Sequence, residues 1–342
     1  KSAEGVASVT IKDIARESGY AISTVSRALN DHPDVSEEAK ARIRQVVEAR
    51  GFVPNANARK LKQTEAKTIV FLVKSTANMF FAGMLVQLQQ LVSRAGYDGV
   101  VQYLDEDGDE VVLAQRLSRE LKPRGIIFLG GSAEHFRKGF SSIRLPCVLA
   151  TVVSEELAFD NLSMVGVDDR KGGAAAIDHL LANGHKDILI LGADPAYSNP
   201  SYKRLQGCND SFTAHGMELA PRRYLKTSFS FEAAYQAMDA WLKEGQRPQA
   251  VFAMSDTTAI GAIRALNDHG LRVPEDVSVI GFDGMELSNF YTPRLCTMRQ
   301  PSERIAQASV ELLLGCIEKK QPARTLMLEA ELVFGESVAE RK

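Results

Sequence analysis

The 342-residue chain contains no run of the roughly 18 consecutive apolar residues that a membrane-spanning helix needs. Cysteine is scarce. Cys147, Cys208, Cys296 and Cys316 lie far apart, with no CxxC pair and no His at ligand spacing, which argues against a zinc site or a disulfide framework and leaves four reduced, buried thiols. Neither sign of charge is in excess: 41 Lys and Arg face 43 Asp and Glu, a formal charge of -2, so a histone-like basic coat and an acidic disordered tail are both excluded. His32, His135, His179, His185, His215 and His269 are scattered, none beside a Ser or Cys and an acid at triad spacing. Gly130-Gly131 and Gly172-Gly173 complete no phosphate-binding loop. No catalytic residue, metal or cofactor is therefore expected. Lys1 to Thr10 lack the apolar core of an export signal, which predicts a cytoplasmic chain, and a start at Lys1 instead of Met implies a trimmed residue or tag.

What is present is an ordinary globular composition, 45% hydrophobic and 25% charged, in a chain long enough for two or three domains. Three short helical patterns come first. Ile11, Ile14 and Ala15 share one face of a helix that Gly19 ends, with Thr10 and Asp13 spaced for a capping box. Val25, Ala28 and Leu29 share a face of a second helix, and a third opens at Ser36 with Glu37 and Glu38 in its first turn and stops at Gly51. None can bury much alone, so the three must pack as one small bundle. From Thr68 onward, buried strands (68–73, 99–103, 125–129, 147–150, 188–191, 250–254, 277–282) alternate with helices (81–95, 170–182, 231–243, 257–267). That alternation predicts parallel α/β sheets, and the number of strands predicts two lobes with a ligand site in the cleft beyond their carboxyl ends. Between bundle and lobes, Pro54 and Asn55 can start a helix of about two turns, too short to be stable until something packs on it.

A helix, a glycine-containing turn and a second helix from Ile11 to Asn30 form the geometry that lays a helix in the DNA major groove. Between Ala39 and Lys62 stand Lys40, Arg42, Arg44, Arg50, Arg59, Lys60 and Lys62 against the single acid Glu48, a stripe suited to phosphates. Residues 1 to 66 hold 11 Lys and Arg against 9 Asp and Glu, so overall neutrality averages a basic headpiece with an acidic-leaning remainder.

The runs Val9 to Gly19, Ser23 to Asn30 and Pro54 to Leu61 resemble the headpiece and hinge of the LacI/GalR transcriptional regulators. The likeness continues in RLQG at Arg204 to Gly207, SDTTAIGAIRAL at Ser255 to Leu266, VPEDVSVIGFDG at Val273 to Gly284 and YTPRLCTMRQP at Tyr291 to Pro301, and so spans nearly the whole chain. The resemblance implies a helix-turn-helix headpiece (residues 1–53), a hinge helix (54–66) and an effector-binding, dimerising core (67–338) of periplasmic-binding-protein-like α/β architecture. It divides that core into an N-lobe of about 67–166 and 295–324 and a C-lobe of about 167–294 and 325–338.

By position in the motifs, it implies DNA contacts from Thr10, Ala21, Ile22, Ser23, Thr24, Ser26, Arg27 and Asn30, with hinge contacts from Asn55, Ala58 and Arg59. Leu61 would be a minor-groove wedge. Tyr20, Ala21 and Ile22 depart from the commoner Val-Ser and a polar or basic residue; an Ile can touch a thymine methyl but cannot bond guanine. In the core it implies effector contacts from Phe80, Phe81, Asp168, Arg204, Phe229, Ser255 and Asp283. Ser255 stands where many sugar-binding relatives carry Asn, Gly335 where relatives often carry Arg, and Asp256 reads as a helix cap.

These readings predict a non-enzymatic repressor, a homodimer on pseudo-palindromic double-stranded DNA, controlled by a sugar, sugar derivative or nucleoside. The C-terminus carries no heptads, so a four-chain coiled coil is not expected. A soluble sugar-binding protein would need an export signal and have no use for residues 9–62; a metabolic enzyme with an accessory bundle would need a nucleophile that the cleft does not offer.

Overall fold

In a computed structural model, residues 9–29, 32–52, 67–75 and 78–341 are described. The chain divides into two compact units at Ala66/Lys67.

In the first unit, α1 (Ile11–Ser18), α2 (Ile22–Ala28) and α3 (Glu37–Arg50) bury Ile14, Val25, Ala28, Ile43 and Val46 against one another. Each boundary has a local cause. Asp13 accepts hydrogen bonds from the Thr10 amide (3.0 Å) and hydroxyl (2.7 Å), which ties the first turn of α1 to its cap. Gly19, at φ 80°, takes the left-handed conformation that reverses the chain into α2. The Ser36 hydroxyl accepts from the Ala39 amide at 3.3 Å and starts α3. Tyr20 packs on the same core, which makes it a packing residue of the headpiece.

The second unit holds two six-stranded sheets. The first contains β1 (Thr68–Lys74), β2 (Asp98–Leu104), β3 (Gly125–Leu129), β4 (Cys147–Ala150), β5 (Leu162–Val167) and β11 (Thr325–Leu328), in the order β11-β5-β4-β3-β1-β2, all parallel. The second contains β6 (Ile188–Gly192), β7 (Tyr224–Lys226), β8 (Ala250–Ala253), β9 (Ser278–Asp283), β10 (Cys296–Arg299) and β12 (Glu331–Val333), in the order β12-β10-β9-β8-β6-β7, with only β12 antiparallel. The central strands are buried and mostly apolar, with polar residues at their ends, because helices cover both faces. Those helices are α4 (Met79–Arg94), α5 (Glu110–Glu120), α6 (Ala133–Gly139), α7 (Asp169–Ala182), α8 (Asn199–Ala214), α9 (Phe231–Lys243), α10 (Asp256–Asp268), α11 (Glu286–Phe290) and α12 (Ser302–Lys319). Among the described residues no helix is long and apolar enough to cross a membrane, and the cysteines are free thiols.

The lobe boundaries expected near 295 and 325 shift. Cys296–Arg299 pairs with β9 in the second sheet, and Thr325–Leu328 pairs with β5 in the first, so the chain crosses between lobes after β5, after β10 and after β11. Short apolar strands carry no label saying which of two similar sheets they join; the pairing partner decides it.

Gly335 has an account in packing. A Cβ there would lie 2.4 Å from the Arg294 carbonyl oxygen and the Cys296 amide nitrogen, so no side chain fits at this position.

Candidate functional site

In the first unit, the N-terminal end of α2 presents Ala21, Ile22 and Ser23 to solvent, and Ile22 remains 43% exposed. An apolar side chain that the headpiece core does not cover is free to meet a thymine methyl. Thr24 and Ser26 are half-buried beside it, and Arg27 is exposed with an ion pair to Asp34 at 3.1 Å. Thr10 is exposed at the start of α1. The basic stripe is thinner than composition implied: Lys40 is buried and bonded to Glu37 at 2.9 Å, and Arg50 pairs with Glu17 across the bundle. Arg42 and Arg44 stand on the exposed face of α3. Asn30, Asn55, Ala58, Arg59 and Leu61 lie outside the described residues, as do Lys60 and Lys62.

In the second unit a cavity of about 890 Å³ opens between the lobes. Its walls come from the carboxyl ends of strands on both sides: Ser75 after β1, Ser132 after β3, Thr151 after β4, Asp194 after β6, Phe229 after β7, Ser255 after β8, Asp283 at the end of β9 and Gln300 after β10. This is where open parallel sheets place ligands. Of the described residues other than glycine, five have positive φ, and three of them line the cavity: Ser75 at 68°, Thr151 at 71° and Asp283 at 119°. Backbone held in sparsely populated regions gathers at functional sites.

Arg204 is placed by two glycines. A Cβ at Gly207 would stand 1.8 Å from the Arg170 carbonyl oxygen, and one at Gly173 would stand 2.2 Å from the Arg204 carbonyl oxygen, so α7 and α8 approach as only glycine allows. This is the physical content of the RLQG motif. The buried guanidinium donates from Nε to Asp169 Oδ1 at 2.8 Å and from Nη1 to the Met254 carbonyl, and it lies 3.6 Å from the centroid of the Phe282 ring. Held on three sides, it is rigid before any ligand arrives.

Asp283 accepts from Gln300 Nε2 at 2.7 Å. Burial pushes its carboxyl up to about 8; Arg204 opposes that shift, and the charge of Asp256 adds to it. Burial therefore favours the protonated form here more than at an exposed Asp, and a protonated carboxyl would donate as well as accept. Asp256 is no helix cap, since Ser255 takes that role. Its fully buried carboxylate accepts from the Met285 amide and Ser288 hydroxyl, both at 2.7 Å, and from the Thr297 hydroxyl at 2.5 Å. It staples the loop after β9 and so positions Asp283.

Phe80, Phe81, Arg204, Phe229, Ser255 and Asp283 all line the cavity. The expected Asp168 does not line it: its Oδ1 accepts from the Lys171 amide at 3.0 Å and caps α7, and the next residue, Asp169, reaches Arg204 instead. The Ser255 hydroxyl is committed to Thr258, accepting from its amide at 3.0 Å and sharing a bond with its hydroxyl at 2.7 Å. Sequence reasoning missed Gln300, although it sits inside the quoted motif ending at Pro301. It also missed a buried group on the N-lobe wall, where Glu110 accepts from Lys74 Nζ (2.6 Å) and the Ser132 amide (2.6 Å) and contacts His135 Nδ1 (3.0 Å). Lys74 as the only charge in an apolar strand was the available signal. Asp109, Glu110 and His135 lie close enough to suggest a metal site. Yet Asp109 Oδ1 caps α5 through the Val111 and Val112 amides, and Glu110 is taken by an ammonium, so these groups do not fit a cation.

A helix-turn-helix headpiece carried on a two-lobed core with a rigid polar cleft defines a ligand-responsive DNA-binding protein. Residues 10–55 match the bacterial regulatory proteins of the lacI family, and residues 177–338 match the periplasmic binding protein-like domain. The chain is 33% identical over 332 residues to the HTH-type transcriptional regulator MalR of Clostridium butyricum, covering 96% of this chain and 99% of that one. It is 32% identical to the ribose operon repressor of Haemophilus influenzae, covering 96% and 98%. The fold is that of the lac repressor dimer bound to operator and the anti-inducer ONPF, with a TM-score of 0.74 at 23% identity over 97% of this chain and all of that one. The protein belongs to the LacI family and is a transcriptional regulator, not an enzyme.

Proposed function

We propose that the protein is a cytoplasmic, homodimeric repressor that binds a pseudo-palindromic operator, with a small molecule held between the lobes controlling that binding. The observation that carries the DNA reading is the exposed N-terminal end of α2, where Ala21, Ile22 and Ser23 meet solvent. Thr10, Thr24, Ser26, Arg27 and Asn30 would flank these residues on phosphates and base edges. Asn55, Ala58 and Arg59 would serve the hinge, with Leu61 as its wedge. Phe80, Phe81, Arg204, Phe229, Ser255 and Asp283 would form the effector wall, and Asp168 would act there only through its helix. The effector class is a sugar, a sugar derivative or a nucleoside, in keeping with cellobiose in the relative CelR and ribose in a regulator from Enterococcus faecium. A bound ligand favours one arrangement of the lobes, which sets the spacing of the two hinges and so their ability to fold in the minor groove.

Site selection from random duplex followed by gel-shift titration at several salt concentrations tests this. The expected result is a two-fold-symmetric site bound at least about a thousandfold more tightly than random duplex; the same affinity for both would refute it. Leu61→Ala is expected to weaken binding to the selected site far more than to random duplex, because a wedge acts only on the bent, specific complex. Equal losses on both would remove Leu61 from that role.

A further inference from the structure

The charges around the cleft restrict what can enter it. Four Lys and Arg side chains line the cavity: Lys74, Lys138, Arg204 and Lys226. Each already has a carboxylate of its own. Lys74 Nζ lies 2.6 Å from Glu110, Arg204 Nε 2.8 Å from Asp169, Lys138 Nζ 2.5 Å from Glu134 and Lys226 Nζ 2.8 Å from Asp194. The first two pairs are buried, so pulling either cation toward a ligand would strand a desolvated carboxylate. The other two are exposed at the rim and weakly held, but their acids stand beside them and repel the same ligand. Glu106 and Asp107, after β2, line the cavity without a salt bridge among the described residues, so acid remains in excess.

Size and shape add a second constraint. A cavity of about 890 Å³ lies at the upper end of small-molecule sites and is much larger than one sugar ring requires. Tyr197, on the loop that follows β6, lines its mouth with 74% of its surface exposed, and its backbone amide bonds to the Asp194 carbonyl at 3.0 Å. A large exposed aromatic, fixed at its backbone and beside a cleft already holding Phe80 and Phe229, is suited to the apolar face of a second ring.

We infer that the effector is an uncharged saccharide of two or more rings, that the cleft rejects sugars bearing phosphate or carboxylate, and that Tyr197 is the platform for the outer ring. This rests on the proposal that a small molecule in the cleft is the effector, and it narrows that proposal to one chemical class.

The test is a calorimetric titration of the full chain with three named sets of probes: maltose, cellobiose, sucrose and trehalose; glucose and ribose; glucose 6-phosphate and glucuronate. At least one disaccharide is expected to bind at least tenfold more tightly than either monosaccharide, and the two anionic sugars to give no heat of binding. Tyr197→Ala is expected to weaken that disaccharide by about threefold to tenfold and to leave monosaccharide affinity unchanged. Because Tyr197 is exposed, the variant keeps its fold, which an unchanged melting temperature verifies. Binding of glucose 6-phosphate or glucuronate as tight as any neutral probe overturns the inference but leaves effector control standing. A monosaccharide as tight as every disaccharide, or a Tyr197→Ala that weakens both classes equally, overturns the size argument. Saccharide binding that has no effect on DNA affinity would instead contradict the function on which the inference rests.

Discussion

Single residues in this protein are held by what surrounds them more than by their own type. Asp256 opens α10 just beyond β8, and Asp283 ends the neighbouring strand β9. One is bonded at both oxygens and staples a loop; the other is left with Gln300 and an open cavity. Burial raises both, to about 6 and about 8. A carboxyl whose folded pKa exceeds its unfolded one binds protons more tightly in the folded chain, so its contribution to stability is full below about pH 4. That contribution is lost as pH rises through the folded values. Stability of the parent should therefore decline as pH rises from about 4 to about 8, the range in which the folded Asp283 keeps a proton that the unfolded chain has lost. Thermal melts of Asp283→Asn across this range should show a flatter pH dependence. An unchanged slope would mean that Asp283 is ionised in the folded protein.

At the level of elements, glycine spacing and exposure carry the predictions. Gly207→Ala should destabilise the chain by a few kcal/mol, on the order of the larger overpacking costs, because its Cβ would meet the Arg170 carbonyl. Gly83→Ala, on an open face of α4 with nothing within 4 Å, should stabilise by roughly 0.5–1 kcal/mol. Equilibrium denaturation of the two variants should shift in opposite directions; a shared sign would show that helix propensity, not the α7–α8 approach, sets both. On α2, Ile22→Ser should leave stability within about 0.5 kcal/mol of the parent while relaxing the preference for a thymine in each half-site. Site selection with the variant reads this directly, and an unchanged consensus would place Ile22 off the bases.

Much of this layer was legible beforehand. The start of α3 at Ser36 and its end at Gly51 follow from caps written in residue types, and the buried strands follow from apolar runs. The expected elements leave out α5, α6, α8, α11, α12, β5, β7, β10, β11 and β12, and for four of these the physical reason is visible. Helix α8 packs with Ser201, Gly207, Cys208 and Ser211, a small-residue face without apolar periodicity. Strands β7, β11 and β12 are short and half-exposed. The strained backbone at Ser75 and Thr151, and the partners of Lys74, arise only when distant segments meet. Arg204 and Asp283, expected in the cleft from the motifs, line the cavity, whereas Asp168 caps α7 and does not.

For the whole molecule, near-neutral charge conceals a difference between a headpiece whose α2 begins at an exposed edge and a cleft in which, among the described residues, each lining Lys and Arg is paired with an acid. In such a molecule, ligand in that cleft and operator on that headpiece should be energetically coupled. The most direct test is to measure operator affinity by fluorescence anisotropy with and without a saturating concentration of whichever saccharide binds the chain, in parent and Arg204→Ala proteins. Ligand is expected to change operator affinity by roughly 5- to 150-fold in the parent, and the change to disappear in Arg204→Ala at the same ligand concentration. An operator affinity indifferent to a saturated cleft would contradict it.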